Sequence, residues 1–307
     1  MKTHFLNIED LSPKEIQALI KRAREIKKNP RLSNKKLAGK VIASLFFEPS
    51  TRTRLSFESA ALRLGAGVIG FADPLTTSYG GKGESFLDTI RIISGYADLI
   101  IIRHPKAGAA QKAAKVSSVP VINAGDGPNQ HPTQTLLDLM AIQETQKKIN
   151  NLNIALMGDL KYARVPRSLA LALAQFKNIK LFLVSPSELK MKNDVLEKIK
   201  GKIQFHNLTG KNNLLKIMPR LDILYLIRIQ KERLGVKLKE RPPQITIFTP
   251  GFLKNAKPNL KILHCLPRTR ELDRRIDKTP FAYYFEQAKN GLWIRMALLE
   301  KILKNTQ

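Results

Sequence analysis

The residues between Val41 and Gly65 leave this chain few ways to fold. An apolar run from Val41 to Phe47 has the composition of a buried strand. Pro49 ends it, because proline has no N–H to offer a ladder. Phe57, Ala60, Ala61 and Leu64 then recur at i, i+3, i+4 and i+7, one face of a helix, and Gly65 suits the position just past its end. Between strand and helix stand Ser50, Thr51, Arg52 and Thr53. Ser50 is a natural N-cap, and the first turn of a helix offers unpaired N–H groups and the positive end of the dipole. Hydroxyls and a guanidinium at that point suit a phosphate or another compact oxyanion. A capped helix start alone would account for a Ser-Thr pair. Two arginines and three hydroxyls in one strand-turn-helix context point instead to an anion site.

The same β–α alternation continues. Ser12-Pro13-Lys14-Glu15 reads as a capping box, with Ile16, Leu19, Ile20, Ala23 and Ile26 forming the apolar face of a covering helix over 12–29. Gly67 to Phe71 reads as a second strand. Residues 76–85, with Ser78, Gly80, Gly81, Lys82 and Gly83, read as a mobile surface loop whose serine and lysine could close over a phosphate. A helix is expected over 85–95 and a buried strand over 98–104, which sets Arg103 at a carboxyl end, where open α/β sheets bind ligands. A strand over 119–123 leads through a Gly-rich turn to His131 and a helix beginning at Pro132. A helix N-terminus favours neutral imidazole, so His131 suits hydrogen-bond donation to a carbonyl oxygen, and Gln134 can reach the same place.

Past Asn150-Asn151 the alternation restarts, with strands at 153–158, 180–184, 203–206, 223–227 and 260–266. The first ends without a GxGxxG dinucleotide fingerprint. Arg164 and Arg228 both fall at carboxyl ends of strands, and two arginines can grip the two carboxylates of a dicarboxylate. Surface arginines paired with nearby glutamates are the competing reading. After Leu266-Pro267, a helical run from Asp277 is expected to break near Asn290-Gly291, with a last helix over Leu292–Leu303. The expected architecture is α/β: two doubly wound parallel-sheet domains with the active site in the cleft between them. Their expected spans are 1–133 and 134–289, with residues 290–307 a C-terminal helix returning to the first domain.

Composition narrows the function. One cysteine, Cys265, excludes an intrachain disulfide and a multi-cysteine zinc site, and the five histidines lack paired ligand spacing, so neither metal nor cofactor is expected. Acidic and polar residues follow the first five, unlike a signal peptide, and no apolar run reaches membrane-spanning length, so a soluble cytoplasmic protein is expected. The net charge of +28 raises nucleic-acid binding, but the lysines are spread through nearly every segment and do not interleave with aromatics. Steering of anionic substrates is the expected consequence, with no specific nucleic-acid partner.

Phe46-x-Glu48-Pro49-Ser50-Thr51-Arg52-Thr53-Arg54 and His131-Pro132-x-Gln134 resemble the signatures of the transcarbamoylases, the aspartate carbamoyltransferase branch in particular, and the resemblance covers essentially the whole chain. It implies transfer of a carbamoyl group from carbamoyl phosphate to L-aspartate, the committed step of pyrimidine biosynthesis, by a homotrimer whose active sites are shared between subunits. It places Ser50, Thr51 and Lys82 on the phosphate, with Ser78 on the same loop reaching into a neighbour's site. Arg52, Thr53, Arg103 and His131 fall on the developing oxyanion, Arg103 also on the phosphate, and Gln134 on the carbamoyl nitrogen. Arg164, Arg228 and Gln230 fall on aspartate, and the backbone carbonyls of Leu266 and Pro267 on the amine or amide. The resemblance leaves open whether regulatory chains or another pyrimidine-pathway enzyme join the trimer. Several positions depart from it: Gly81 stands where relatives have a second basic residue, Arg167 where they have histidine, and the loop from Leu234 to Thr249 is dissimilar. Cys265 stands in a His-Cys-Leu-Pro sequence that resembles the ornithine enzymes, the alternative reading. Against that alternative, Glu48-Pro49 matches the aspartate branch, and arginines would repel ornithine's ammonium.

Overall fold

The computed structural model describes residues 4–234, 243 and 246–304. Most of the divergent Leu234–Thr249 loop lies outside them, as do the first three residues. The chain divides into two compact units, one of residues 1–137 with 289–307 and one of 138–288.

The first unit holds a sheet of β1 (Val41–Phe46), β2 (Gly67–Phe71), β3 (Leu99–His104) and β4 (Val121–Asp126) in the order β2-β1-β3-β4. All its neighbours are parallel. Buried on both faces, β1 and β3 read as the unbroken apolar runs seen in the sequence. α1 (Pro13–Lys28) carries its capping box, with the Glu15 N–H donating to Ser12 Oγ and the Ser12 N–H to Glu15 Oε2. α2 (Thr51–Arg63) buries Phe57, Ala60 and Ala61 as its periodicity requires. Gly65 follows at φ +84°, the left-handed conformation expected past a helix end.

Two expectations fail in this unit. Residues 76–85 are not simply loop. A 3-10 turn over Pro74–Thr76 leads into α3 (Ser78–Gly81), followed by α4 (Phe86–Ser94). Local hydrogen bonds wind this segment: the Leu75 N–H donates to Asp73, and Thr77 Oγ1 donates to the Pro74 carbonyl at 2.6 Å. The Tyr79 ring then packs edge-on against Phe47, with centroids 5.1 Å apart. Nor does the chain break at Asn290-Gly291. The final helix is continuous over Tyr284–Lys304. Gly291 serves close packing: a Cβ there would lie 2.3 Å from the Arg295 guanidinium and 3.4 Å from Leu137. Asn290 Oδ1 accepts from Lys27 Nζ at 2.9 Å, and Arg22 donates to Glu300 at 2.8 Å, so the end of this helix is bound to α1.

α5 (Ala109–Val116) precedes β4, and α6 (Pro132–Gln146) leads from the first unit into the second. The second sheet comprises β5 (Asn153–Gly158), β6 (Lys180–Val184), β7 (Gln204–Leu208), β8 (Ile223–Ile227) and β9 (Lys261–His264) in the order β7-β6-β5-β8-β9, again all parallel. α7 (Arg164–Leu173), α8 (Asn193–Ile199) and α9 (Gly210–Ile217) connect its strands. One face buries Ala155, Phe182, Leu214, Leu224, Phe248 and Tyr284 in a common core.

Candidate active site

A doubly wound sheet binds ligands where its strand order reverses, because the loops leaving the two strands at that point run to opposite faces and open a crevice. In the first unit the reversal lies between β1 and β3. The loop leaving β1 is the segment with Ser50, Thr51, Arg52 and Thr53, and β3 ends at Arg103-His104. Phe46 pairs with Arg103 in register, and the Phe47 N–H donates to the Arg103 carbonyl at 2.8 Å. Arg103 Nε stands 3.3 Å from Glu48 Oε2, so the motif's glutamate orients the strand-end arginine. Ser50 occupies the N-cap position in extended conformation, but its hydroxyl makes no capping bond to the helix.

The two arginines of the motif part company. Arg54 Nε donates to Glu58 Oε1 at 2.8 Å, one turn along α2, and Ser44 Oγ reaches the same oxygen at 3.0 Å. Arg52 is exposed in the first turn. Thr53 is buried, its Oγ1 3.4 Å from His131 Nε2. Thr133 Oγ1 stands 3.5 Å from the other ring nitrogen, His131 Nδ1. Thus α2 and α6 bring Thr53 and His131 together at their first turns. Gln134 follows on α6, half-buried. Ser78 opens α3 and Lys82 ends it, both exposed; Lys82 makes no ion pair among the described residues.

Asp126 and Gln130 were not singled out from the sequence, yet they shape the turn that presents His131. Asp126 accepts from the Gly108 N–H at 2.8 Å, from Asn123 Nδ2 at 2.9 Å and from Asn129 Nδ2 at 3.0 Å. Gln130 donates to Glu9 and accepts from the Ile8 N–H. Gly127 sits at φ +52° with the Pro105 carbonyl oxygen 2.5 Å from where a Cβ would be, so no side chain fits this turn. His104 has a structural role. Its ring packs on Phe47 and Phe86, its Nδ1 accepts from the Lys106 N–H, and burial pushes its imidazole below the usual range.

In the second unit the reversal lies between β5 and β8. Arg164 is the first residue of α7 and is buried. Arg228 follows β8 and donates from both terminal nitrogens to Glu232, at 2.6 and 3.1 Å. A carboxylate thus already occupies this guanidinium, as the competing sequence reading anticipated, though Glu232 is half exposed at 51%. Gln230 Nε2 donates to the Arg228 carbonyl at 3.4 Å. Asp159, fully buried and missed in the sequence, joins the two loops. Its Oδ1 accepts from the Lys161 and Tyr162 N–H groups, and its Oδ2 from the Gln230 N–H at 3.0 Å. A short carboxylate at the end of a strand, opposite a second strand end, was the available signal. Arg167 is committed to Asp194 at 2.6 Å.

Leu266 lies at φ +52° beside Pro267, beyond the end of β9. Its N–H donates to His264 Nδ1 at 2.8 Å, and His264 Nε2 lies 2.9 Å from Glu271 Oε1. Glu271 also accepts the Thr269 N–H and hydroxyl, so one buried carboxylate closes the loop that displays the Leu266 and Pro267 carbonyls. Burial alone would raise the Glu271 pKa, but the His264 and Thr269 hydrogen bonds outweigh it and hold it at about 2. A folded-state pKa below the unfolded value means stability that is present above roughly pH 4.3 and lost as the pH falls toward 2. Glu271→Gln is therefore expected to lose stability at neutral pH and to show a flatter decline between pH 4.5 and 2.5 than the parent. Urea unfolding across that range tests this; parallel curves for the two proteins would refute it.

Paired switch points bearing arginines, one with a hydroxyl-lined helix start and one with a carboxylate-binding fork, define a two-domain α/β transferase of small anionic substrates. The models of the aspartate/ornithine carbamoyltransferase carbamoyl-P binding domain and Asp/Orn binding domain match residues 3–144 and 150–302. The aspartate carbamoyltransferase catalytic subunit of Buchnera aphidicola subsp. Schizaphis graminum is 50% identical over 305 residues, 98% of this chain and 96% of that protein. The catalytic subunit of M. jannaschii aspartate transcarbamoylase superposes with a TM-score of 0.88 at 43% identity, covering 99% of both chains. Aspartate transcarbamoylase from Trypanosoma cruzi, in complex with N-(phosphonacetyl)-L-aspartic acid, superposes with a TM-score of 0.91 at 34% identity, covering 97% of this chain and 95% of that one. The chain belongs to the aspartate/ornithine carbamoyltransferase family.

Proposed function

We propose that this chain transfers the carbamoyl group of carbamoyl phosphate to the amine of L-aspartate, giving N-carbamoyl-L-aspartate and phosphate. The observation that carries the reading is the convergence of the 50–53 segment, Arg103 and the Thr53–His131 pair about the switch point of the first sheet. Ser50, Thr51 and Lys82 hold the phosphate, with Ser78 on the same segment. Arg52, Thr53, Arg103 and His131 stabilise negative charge on the carbonyl oxygen as the amine adds, and Gln134 accepts from the carbamoyl NH2. The C–N bond forms, the carbonyl carbon's bond to the phosphate oxygen breaks, and the departing phosphate takes the amine proton. Arg164, Arg228 and Gln230 bind the two carboxylates of aspartate, and the Leu266 and Pro267 carbonyls orient the amine. Arg228 is half-buried but its partner Glu232 is open to solvent, so a substrate carboxylate can take that glutamate's place on the guanidinium.

The quaternary reading is a cytoplasmic homotrimer with sites shared between subunits. Leu55 and Leu62 on α2, Ile69 on the edge strand β2, Leu75 on the turn after it, and Ile92 and Tyr96 at α4 are all large apolar residues exposed in the first unit. Such a concentration suits burial against another copy. No helix of the described residues is long and apolar enough to cross a membrane. A Lys82→Ala protein mixed with an Arg52→Ala protein is expected to regain activity, since some sites then combine two intact contributions. Verified mixed trimers without recovery would exclude shared sites.

Substrate choice is tested by supplying carbamoyl phosphate with L-aspartate or, separately, L-ornithine. Carbamoyl aspartate alone is the expected product. Citrulline would mean that Cys265 is the better guide and that Arg164 and Arg228 are misassigned.

A further inference from the structure

The second sheet has a concavity beside its outer strands, running from the amino ends of β5, β6 and β7 along β7 to Leu208. It is lined by Asn153, Lys180 and Gln204, the first residues of β5, β6 and β7, together with Phe182, His206, Leu208, Ile217, Pro219, Arg220 and Lys257, and has a volume of about 750 Å³. That lies within the range of small-molecule sites. Arg164 and Arg228 follow the carboxyl ends of β5 and β8, a strand length of roughly 15 Å along the sheet from the amino ends that carry Asn153, Lys180 and Gln204.

Register explains how the lining is assembled. Lys180 pairs with Gln204 and Phe182 with His206, so alternate residues of β6 and β7 point into the same side of the sheet. The His206 ring stacks on Phe182, with planes 21° apart and centroids 5.5 Å apart. Phe182 is buried, whereas His206, on the edge strand β7, is exposed. The imidazole therefore has one face covered by a phenyl ring and stands where no further strand covers it. Lys180 and Arg220 are exposed and make no ion pair among the described residues. Lys257 is held by Asp222 at 2.8 Å, so the neighbouring carboxylate neutralises that cation and leaves the other two. An edge strand bearing a stacked, exposed ring beside two unneutralised cations and a side-chain amide, Gln204, combines a platform for a flat ring with a grip for phosphate.

We propose that this groove is a second ligand site, separate from the transfer site, which binds a nucleoside phosphate. The ring stacks on His206, and Lys180 and Arg220 hold the phosphates.

The test uses the intact protein saturated with N-(phosphonacetyl)-L-aspartate, so that anion sites of the transfer centre are filled. Binding of ATP, adenosine and inorganic tripolyphosphate is followed by calorimetry at physiological salt. One ATP per chain is expected, at least tenfold tighter than either fragment. A Lys180→Ala/Arg220→Ala protein is expected to bind ATP at least tenfold more weakly, and His206→Ala about fivefold more weakly, both with unchanged carbamoyl transfer in the absence of ATP. Circular dichroism confirms that the variants are folded. Tripolyphosphate binding as tightly as ATP with His206→Ala silent would reduce the groove to a nonspecific anion patch and overturn the proposal. So would absence of saturable ATP binding, or capture of a single-stranded oligonucleotide but not of ATP.

Discussion

Arg52→Ala is expected to lower kcat for carbamoyl transfer by about 10²–10³-fold, the effect of removing one preorganised donor from a developing oxyanion. The expectation rests on the different employment of two arginines only two residues apart. Arg54 is bound to Glu58 along α2 and, through that carboxylate, to Ser44 of β1. Arg52 stands exposed in the first turn, beside Thr53, whose hydroxyl meets His131. Arg54→Ala should therefore cost about 1 kcal/mol of stability and less than tenfold in kcat. Steady-state kinetics and urea unfolding of the two variants separate the roles. Equal losses of kcat would show that the motif's arginines act as one unit. Because the missing interaction is made with charge that develops during the reaction, kcat should fall much more than KM rises.

The second large effect is on folding. Gly158→Ala is expected to destabilise the protein by about 3–5 kcal/mol. Gly158 ends β5 at φ +126°, paired in register with Ile227 of β8, and the Ile227 carbonyl oxygen lies 1.9 Å from where a Cβ would stand. A methyl group there must push apart the two central strands at the switch point, whose ends position Arg164 and Arg228. Gly201 provides the contrast. It also has positive φ, +76°, but nothing lies within 4 Å of its would-be Cβ, so Gly201→Ala should cost only about 1 kcal/mol. Denaturant midpoints by circular dichroism measure both. A Gly158→Ala protein as stable as Gly201→Ala would mean that the strands can separate freely.

Much of the molecule was legible in local pattern. Apolar runs at 41–47 and 98–104, helical periodicity after Thr53, the Ser12–Glu15 capping box and the His131-Pro132 helix start all depend on neighbours within a turn or a strand, and all form where expected. Breaks were less legible. Asn290-Gly291 has the composition of a helix end, yet Gly291 lies inside a continuous helix because Arg295 and Leu137 occupy the space beside it. Residues 76–85 have loop composition, but Asp73 and Thr77 wind the segment and Tyr79 anchors it on Phe47.

Side-chain pattern along the chain by itself determined the alternation of strands and helices, the parallel α/β class and the placement of candidate site residues at strand ends, because each follows from short-range periodicity and turn chemistry. Strand order was decided only in the tertiary structure. Nothing local says that β3 lies beside β1, or that β8 lies beside β5, and those two adjacencies create the switch points. The supports were likewise decided there. Glu48 beside Arg103, and Asp159 joining the β5 and β8 loops, are contacts between side chains and strand ends that sequence order does not pair. A carboxylate's partner depends on which strands become neighbours, and that depends on how whole sheets bury their faces.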